Sequence, residues 1–251
     1  MDSAPHRQGR KPVAVHRVQE RHSDMRELKV IFFDAAGTLI HLPRGVGFHY
    51  ATVAARRGWE IDPVTIGRAF GAAWKAMPSP LAGREPRGDD DRGWWRDLVW
   101  EVLDQCAAPF DFDRAAYFDE LYVEFARPGI WALYPEVLEV LDLLAPHYQL
   151  AVLSNFDGRL RTVLAHLGIL DRFSTVVISS EAGADKPDPL IFARAANLAQ
   201  VAPNEALLAG DDLEHDVVGA QRAGWHAFHV DRPQITLRDL PPVLNQLRTG
   251  S

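Results

Sequence analysis

Short runs of apolar residues recur along the chain and predict the strands of a sheet. Residues 28–33 form a continuous apolar run with one lysine, which is typical of a strand buried on both faces of a parallel sheet. Further runs of this kind lie at residues 148–153, 175–178, 206–209 and 225–230. The pattern therefore predicts a sheet of buried strands.

The segments between the later runs have the apolar spacing of amphipathic helices. Two segments repeat the spacing i, i+3, i+4, i+7 that places apolar side chains on one helix face, at Val137, Val140, Leu141 and Leu144 and again at Leu160, Val163, Leu164 and Leu167. Strands that alternate with helices predict an α/β fold, a doubly wound, Rossmann-like parallel sheet with right-handed crossovers.

The region after the first strand has a different pattern. Residues 44–128 lack convincing strands and contain three or four amphipathic helical patterns, broken by a Pro- and Gly-rich loop at 78–93. We predict an inserted helical cap at 44–128 over an α/β core formed by residues 28–43 and 129–248. Residues 1–27 are polar and predict a disordered leader, with a basic targeting arm as the alternative.

Charge and composition narrow the classes of function. The formal net charge of -7 over 251 residues opposes binding to phosphate backbones, so no nucleic-acid partner is expected. No segment approaches the roughly 18 consecutive apolar residues of a membrane span, so we expect no membrane association. Cys106 is the one cysteine, which precludes an intrachain disulfide and favours a cytoplasmic protein. The oligomeric state stays open.

Polar side chains follow the ends of four predicted elements. They are, in chain order, Asp34, Ser154 with Asn155, Lys186, and Asp211 with Asp212. Lys186 is predicted to open the helix after residues 175–178. Each position alone is typical of a turn or a helix cap. Because ligands bind at the carboxyl ends of the strands in open α/β sheets, the four together predict a functional site.

These residue types fit phosphoryl transfer. Asp34 and Asp211 would repel each other at close range unless a divalent cation with hard oxygen ligands lay between them, and Mg²⁺ meets that need. Asp34 is then placed to attack phosphorus, while Lys186 balances charge on the phosphoryl oxygens. We expect a small phosphorylated molecule as substrate. The residues predicted to bind its phosphate are Thr38, Ser154 and Asn155.

Four segments resemble, in order, the motifs of the haloacid dehalogenase-like hydrolases: FFDAAGTL, LSNFDGRL, the KPDP that begins at Lys186, and GDDLEHDVVGAQRAG. The resemblance runs from Leu28 to about Val230, with a helical cap between the first two motifs. Longer phrases such as ARPGIWALYPEVLEVLDLL look closest to the branch of the rhythmically-expressed-gene-2-like proteins, which has no well-defined substrate.

The resemblance implies a metal site. Asp34 is implied to be both the nucleophile and a metal ligand, with the backbone carbonyl of Ala36 and the side chain of Asp211 as further ligands. Asp212 is implied either to be linked to the metal or to be merely a helix cap, and we leave both open.

The resemblance also assigns the phosphate contacts. Ser154 is implied to bind the phosphoryl group, and Lys186 to neutralise its charge and orient Asp34. Asp216 is implied to be an acid that holds the lysine or a water on the metal.

Position 36 departs from the family pattern. Phosphatases of the family carry a second aspartate two residues after the nucleophile, which protonates the leaving oxygen and then activates water against the aspartyl phosphate. Ala36 cannot donate a proton, so a factor of about 10²- to 10⁴-fold is absent, on the order of 3 to 5 kcal/mol of barrier lowering. We therefore expect weak or selective phosphatase activity.

Three alternatives stay open. Dehalogenases of the family resemble D-x-Y-G-T and attack carbon without a metal, but GDDLEHD retains an acidic half-site that they do not need. Phosphonoacetaldehyde hydrolases resemble D-W-A-G-T and use a cap lysine to form a Schiff base. Lys75 is the one lysine in the predicted cap, but Ser154 and Lys186 replace the Thr and Arg typical of that subgroup, so we favour a solvated helix residue. The third alternative is a ligand-binding protein without turnover.

His41 lies close in sequence to the predicted nucleophile. It is either a substitute proton donor or a loop histidine that faces water, and we favour the second.

Overall fold

The computed structural model of the protein describes residues 28–80 and 85–249. The predicted leader, residues 1–27, lies outside the described residues, as does the centre of the Pro- and Gly-rich loop. Within the two described ranges, no helix has the length and apolar character that a membrane span requires.

A five-stranded parallel sheet forms the centre of the fold. The strands of the described residues are β1 (Val30–Phe33), β2 (Ile40–His41), β3 (Ala132–Leu133), β4 (Gln149–Ser154), β5 (Thr175–Ile178), β6 (Ala206–Gly210) and β7 (His226–His229). The sheet order is β5-β4-β1-β6-β7, and β2 pairs with β3 separately. In the register of the sheet, Phe33 lies beside Val152 of β4 and Ala209 of β6. The predicted α/β fold is confirmed.

Helices cover both faces of this sheet and also form the insertion. The α-helices are α1 (Gly45–Arg56), α2 (Pro63–Ala76), α3 (Arg92–Gln105), α4 (Arg114–Glu124), α5 (Val137–Leu144), α6 (Arg159–His166), α7 (Ser179–Ala182), α8 (Pro189–Ala199), α9 (Gly219–Arg222) and α10 (Leu240–Thr249). Apolar residues of α5, α6 and α10 pack on one face of the sheet, and those of α8 and α9 pack on the other.

The central strand shows why the sheet needs two covering layers. Because side chains alternate along a strand, Ile31 and Phe33 belong to the apolar cluster on one face, whereas Val30 and Phe32 belong to the cluster on the other. All four side chains are fully buried. The continuous apolar run in the sequence follows from this double burial.

The insertion begins and ends at the short β2–β3 pair. Helices α1 to α4 lie between these two strands in the chain and have an apolar cluster of their own. Asp62 caps α2 and Asp113 caps α4, each by accepting a backbone N–H of the first turn. The structure thus has a helical cap over the Rossmann-like core. The predicted domain boundaries at 43/44 and 128/129 stay a prediction.

One predicted element boundary is wrong. Lys186 does not open a helix: α7 follows β5 directly, and Lys186 lies in the loop before α8. Helix α8 starts at Pro189 because the Asp188 side chain accepts the N–H of Leu190 and proline fits a first helical turn.

Candidate active site

Three acidic or hydroxyl side chains meet at one edge of the sheet because their strands are neighbours. Asp34 directly follows β1, Ser154 ends β4, and Asp211 directly follows β6. The backbone N–H of Asp34 donates to Ala209 O at 2.9 Å, which continues the β1–β6 pairing to the edge. The Ser154 hydroxyl donates to Asp34 Oδ1 at 3.1 Å. The strand order therefore builds this part of the site.

Lys186 completes a buried charge network with two aspartates. Its Nζ donates to Asp34 Oδ1 at 2.7 Å, to Asp216 Oδ1 at 2.5 Å and to Leu153 O at 2.9 Å. The exposed fractions of Lys186, Asp34 and Asp216 are 3%, 7% and 1%. Water screens such a network very little, so its charges interact strongly.

Burial and neighbouring charges shift the pKa values of this network. Burial raises the pKa of Asp34 to about 7, against the attraction of Lys186 and with added repulsion from Asp216 and Asp211. Burial would lower the pKa of Lys186, but Asp34 and Asp216 outweigh it and raise that pKa above its ordinary value. Lys186 therefore stays charged. In the metal-free site, Asp34 is only partly ionised near neutral pH.

The acidic residues form a group that could hold a metal ion. Asp34, Asp211 and Asp216 each offer a carboxylate oxygen, and these oxygens lie within 4.8 Å of one another. Lys186 donates to two of these three groups, Asp34 and Asp216, so the site has excess negative charge when all three carboxyl groups are ionised. Hard carboxylate oxygens in this arrangement fit Mg²⁺, and the donor set is therefore compatible with the predicted cation.

Thr38 is placed differently from the prediction. Its side chain is fully buried, and its hydroxyl donates to Asp211 Oδ1 at 2.9 Å. Thr38 therefore orients an acidic residue of the site instead of presenting its hydroxyl to a phosphate.

The Asn155 side chain forms its hydrogen bonds with the backbone of Lys186. Its Nδ2 donates to Lys186 O at 2.9 Å, and its Oδ1 accepts the N–H of Lys186 at 2.7 Å. This pair of bonds fixes the loop that carries the lysine. The side chain therefore holds the Lys186 loop, and the predicted contact of Asn155 with phosphate, for which its backbone N–H is not used by these bonds, stays a prediction.

The two open assignments of Asp212 can be compared with its contacts. Its Oδ1 accepts the N–H groups of Glu214 and His215 at 2.9 and 2.8 Å, which caps the π-helical turn Leu213–Val218. Burial would raise the pKa of Asp212, but the hydrogen bonds from His215 outweigh it and lower that pKa. The contacts of Asp212 are those of a helix cap.

Arg232 supports the site and was missed by the sequence analysis. It donates to Gly37 O at 3.3 Å and to Thr38 O at 3.0 Å, and so holds the turn after β1. Glu136 pairs with its guanidinium at 2.6 Å, and Tyr134 stacks against it at 3.6 Å. Arg232 follows β7, so the search for polar residues at strand ends would have found it.

Ala36, His41 and Lys75 all line one cavity with the acidic residues. Ala36 is exposed to this cavity. His41 belongs to β2, is partly buried, and stacks on Tyr134 with ring centroids 4.6 Å apart, so the prediction of a loop histidine facing water is wrong. Lys75 lies in the last turn of α2 and is exposed, as predicted for a solvated helix residue.

Side-chain contacts between the cap and the core lie next to Lys186 in the chain. Arg87 pairs with Asp91 of the cap, and its Nη1 donates to Asp185 of the core at 3.0 Å. Nearby, both carboxylate oxygens of Asp90 accept the N–H of Gly158 at 2.9 Å. Asp185 directly precedes Lys186, so these contacts fix the cap beside the charge network.

The sequence pattern of the haloacid dehalogenase-like hydrolases matches residues 28–224, which includes every residue of the charge network. The chain is a haloacid dehalogenase-like hydrolase. This hydrolase is 34% identical over 214 residues to haloacid dehalogenase-like hydrolase domain-containing protein 3 of Bos taurus, covering 83% of this chain and 84% of that protein. It is 28% identical over 211 residues to the rhythmically expressed gene 2 protein of Drosophila melanogaster, covering 79% and 81%. The predicted family and branch are confirmed.

Solved structures show that the hydrolase shares its fold with proteins of different activity. A HAD phosphatase from Thermococcus onnurineus matches with a TM-score of 0.63 and 22% identity, over 86% of this chain and 98% of that one. L-2-haloacid dehalogenase from Xanthobacter autotrophicus matches with a TM-score of 0.65 and 23% identity, over 87% and 82%. At such identities the likeness concerns the fold, so the reaction of this hydrolase must be argued from its own residues.

Proposed function

We propose that this hydrolase is a Mg²⁺-dependent phosphatase that acts on a small phosphate monoester through Asp34. The observation that carries the proposal is the charge balance of the site. Asp34, Asp211 and Asp216 lie within reach of one ion, while Lys186 supplies the one buried ammonium group among them. Attack on carbon needs no such group of carboxylates, whereas a divalent cation fits it and would offset the charge of a phosphoryl group beside it.

The residues that would hold Mg²⁺ are Asp34, Asp211 and the backbone carbonyl of Ala36. When bound, Mg²⁺ would supply Lewis-acid stabilisation of charge on the phosphoryl oxygens. Thr38 serves this arrangement because its hydrogen bond to Oδ1 fixes the Asp211 carboxylate.

The two oxygens of the Asp34 carboxylate have different surroundings. Lys186 and Ser154 both donate to Oδ1. We assign the attack to Oδ2: it bonds to phosphorus, the bond from phosphorus to the leaving oxygen breaks, and that oxygen departs with the electron pair. Water then attacks phosphorus and the bond from Oδ2 to phosphorus breaks, which restores the Asp34 carboxylate and releases phosphate that carries both protons of the water. Lys186 stays charged throughout and balances the negative charge beside the phosphoryl group.

Ala36 sets the limits of this chemistry. A methyl group at this position can neither protonate the leaving oxygen nor deprotonate the attacking water. Both steps of the reaction therefore lack a factor of about 10²- to 10⁴-fold that a carboxyl group could supply. The expected activity is weak for leaving groups that need a proton and higher for those that depart as stabilised anions.

Phosphonate cleavage is the second candidate because Lys75 lines the same cavity. Schiff-base lysines are activated by desolvation or by a neighbouring cation, whereas Lys75 is exposed. Borohydride reduction in the presence of phosphonoacetaldehyde tests this: we expect no added mass on Lys75, and a stable adduct there would replace the phosphatase proposal.

Steady-state hydrolysis of p-nitrophenyl phosphate, with Mg²⁺ and with a chelator, tests the proposed function. We expect turnover that requires Mg²⁺ and is lost in Asp34→Asn. Turnover that persists in the chelator or in Asp34→Asn would refute the proposal. Release of halide from a 2-haloacid would instead support dehalogenation, and absence of turnover on every substrate would support a ligand-binding protein.

A further inference from the structure

A cavity of about 650 Å³ opens above the charge network and is far larger than a phosphoryl group needs. Asp34, Ser154, Lys186 and Asp211 form its polar end. The remaining wall is dominated by aromatic side chains of the cap and the neighbouring loops, chiefly Phe70, Trp74, Trp95, Tyr122, Phe125 and Trp131. The volume lies within the range of about 300–1,000 Å³ that is usual for small-molecule sites.

The rings of these six residues, the aromatic wall, lie at several angles to one another, so both ring edges and ring faces are present. Trp74 lies with its ring centroid 5.9 Å from Phe70 in a stacked arrangement and 5.8 Å from Trp95 in a tilted one. Trp131 and Phe125 are 6.5 Å apart. Offset-stacked and edge-to-face contacts are the arrangements in which a further ring binds best. The wall is therefore suited to a planar, apolar group.

The wall has little charge to offer a polar substrate. Arg159 lines the cavity, but its Nε and Nη2 donate to Asp157 at 2.8 and 2.6 Å, its Nη1 donates to Tyr122 O at 2.9 Å, and its guanidinium stacks on the Tyr122 ring at 3.7 Å. Lys75 also lines the cavity and is exposed. Of the other polar lining residues, Asp212 accepts two backbone N–H groups and His41 stacks on Tyr134. Because aromatic and aliphatic side chains form most of the rest of the wall, a many-hydroxyl organic part would lose hydration over most of its surface without matching partners.

The chemistry of position 36 leads independently to the same class of compound. Without a carboxyl group there, the favoured leaving groups are those that depart without a proton, and phenols are more acidic than alkyl alcohols. The shape of the cavity and the missing acid at position 36 therefore favour the same class of leaving group. We propose that the substrate is the phosphate monoester of a neutral phenol or naphthol, with one or two fused rings, an inference that rests on the proposed phosphatase function.

Three test substrates distinguish a failure of this inference from a failure of the proposed phosphatase function. Acetyl phosphate has a good leaving group and no ring, phenyl phosphate has one ring, and 2-naphthyl phosphate has two. With Mg²⁺ present, we expect kcat/KM to rise from phenyl to 2-naphthyl phosphate. We also expect Trp74→Ala to lower kcat/KM for 2-naphthyl phosphate by about tenfold, through KM, while acetyl phosphate changes less than about twofold.

Trp100→Ala is the matched control. Both tryptophans lie on cap helices and are partly exposed, at 48% for Trp74 and 38% for Trp100, but only Trp74 lines the cavity. Trp100→Ala should leave all three substrates unchanged. Asp34-dependent turnover of acetyl phosphate, with equal kcat/KM for the two aryl phosphates and no effect of Trp74→Ala, would overturn the inference and leave the phosphatase function standing.

A binding measurement tests the inference even if the protein hydrolyses none of these phosphates. Calorimetric titration of Asp34→Asn with phenyl and 2-naphthyl phosphate, in Mg²⁺, measures the preference of the cavity directly. If no phosphate is turned over, the proposed function fails. Tighter binding of 2-naphthyl phosphate that is lost with Trp74→Ala then still supports an aromatic phosphate as the ligand, whereas equal or absent binding overturns the inference.

Discussion

The backbone of Gly37 lies directly against the carboxylate of Asp211. A Cβ atom at position 37 would lie 2.5 Å from Asp211 Oδ1, and φ at this residue is +96°, in the region that favours glycine. The turn after β1 can therefore approach the acidic group only because residue 37 has no side chain.

The first prediction concerns this approach. Mg²⁺ should stabilise the folded parent protein by about 2.7 kcal/mol when its concentration is 100 times its Kd, and this stabilisation is measured as a rise in melting temperature. Gly37→Ala should displace the Asp211 carboxylate and remove that rise. Gly58→Ala is the matched control, because its φ is +83° and nothing lies within 4 Å of the added Cβ. The control should lose about 1 kcal/mol from backbone strain alone and keep its response to Mg²⁺. A normal Mg²⁺ response in Gly37→Ala would contradict the assignment of Asp211 to the metal.

The second prediction concerns the buried ion pairs of Lys186. Lys186→Met leaves Asp34 and Asp216 buried without their cation, and it should lower the free energy of unfolding by about 3–5 kcal/mol. Lys29→Met is the control: Lys29 pairs with Glu205 at the surface, with 61% of its side chain exposed, and its removal should cost less than about 1 kcal/mol. Urea unfolding in a chelator measures both. Equal losses in the two variants would show that the buried network does not stabilise the fold in this way.

Most of the strands and the site residues at their ends could be predicted from the apolar runs in the sequence. The run at residues 28–33 located β1, and its neighbours β4 and β6 were located within a residue or two, because strands buried on both faces leave a strong apolar signal. Since parallel strands end at the same edge, the convergence of Asp34, Ser154 and Asp211 followed from the fold class.

The partners of individual side chains could not be predicted in the same way. Thr38 and Asn155 bond to Asp211 and to the backbone of Lys186, which are distant in the chain, and no local pattern marks such pairs. The aromatic wall had no sequence signal either, because its residues come from several helices and loops and share no period. Trp95, for example, packs against the apolar cluster of the cap and also lines the cavity.

The third prediction concerns pH. Burial raises the pKa of Asp34 from 3.8 to about 7, so the folded protein holds a proton there that the unfolded chain has already lost. The contribution of this group to stability therefore falls as pH rises from about 4 to about 7 in metal-free protein. Asp34→Asn cannot ionise, so the stability of the parent minus that of Asp34→Asn should fall across this window. A difference that is constant or rises with pH would contradict the buried, proton-binding state of Asp34.

The fourth prediction concerns the missing acid. Ala36→Asp should raise turnover of alkyl phosphates more than that of aryl phosphates, by up to about 10²- to 10⁴-fold, because only the alkyl leaving group needs the proton. Ala36→Asn is similar in size to the aspartate and supplies no useful proton, so it controls for changes in the metal site. If the aspartate variant gains nothing over the asparagine variant on either class, another residue already acts as the acid or the site is not built for phosphoryl transfer.

The absence of a carboxyl group at position 36 also affects the second half of the reaction. With an aryl phosphate, attack by Asp34 needs no acid, but hydrolysis of the aspartyl phosphate still lacks a base. The covalent intermediate should therefore accumulate, and the first turnover should release the phenol in a burst.

Trapping that intermediate shows whether Asp34 forms the bond to phosphorus. The enzyme is mixed with 2-naphthyl phosphate and Mg²⁺, quenched during the burst and reduced with borohydride, which converts an aspartyl phosphate to homoserine, and the peptides are then sequenced by mass spectrometry. We expect a burst close to one naphthol per enzyme and homoserine at position 34, both absent when Mg²⁺ is chelated. Turnover without a burst and without modification of Asp34, or modification at another residue, would contradict the proposed attack by Asp34.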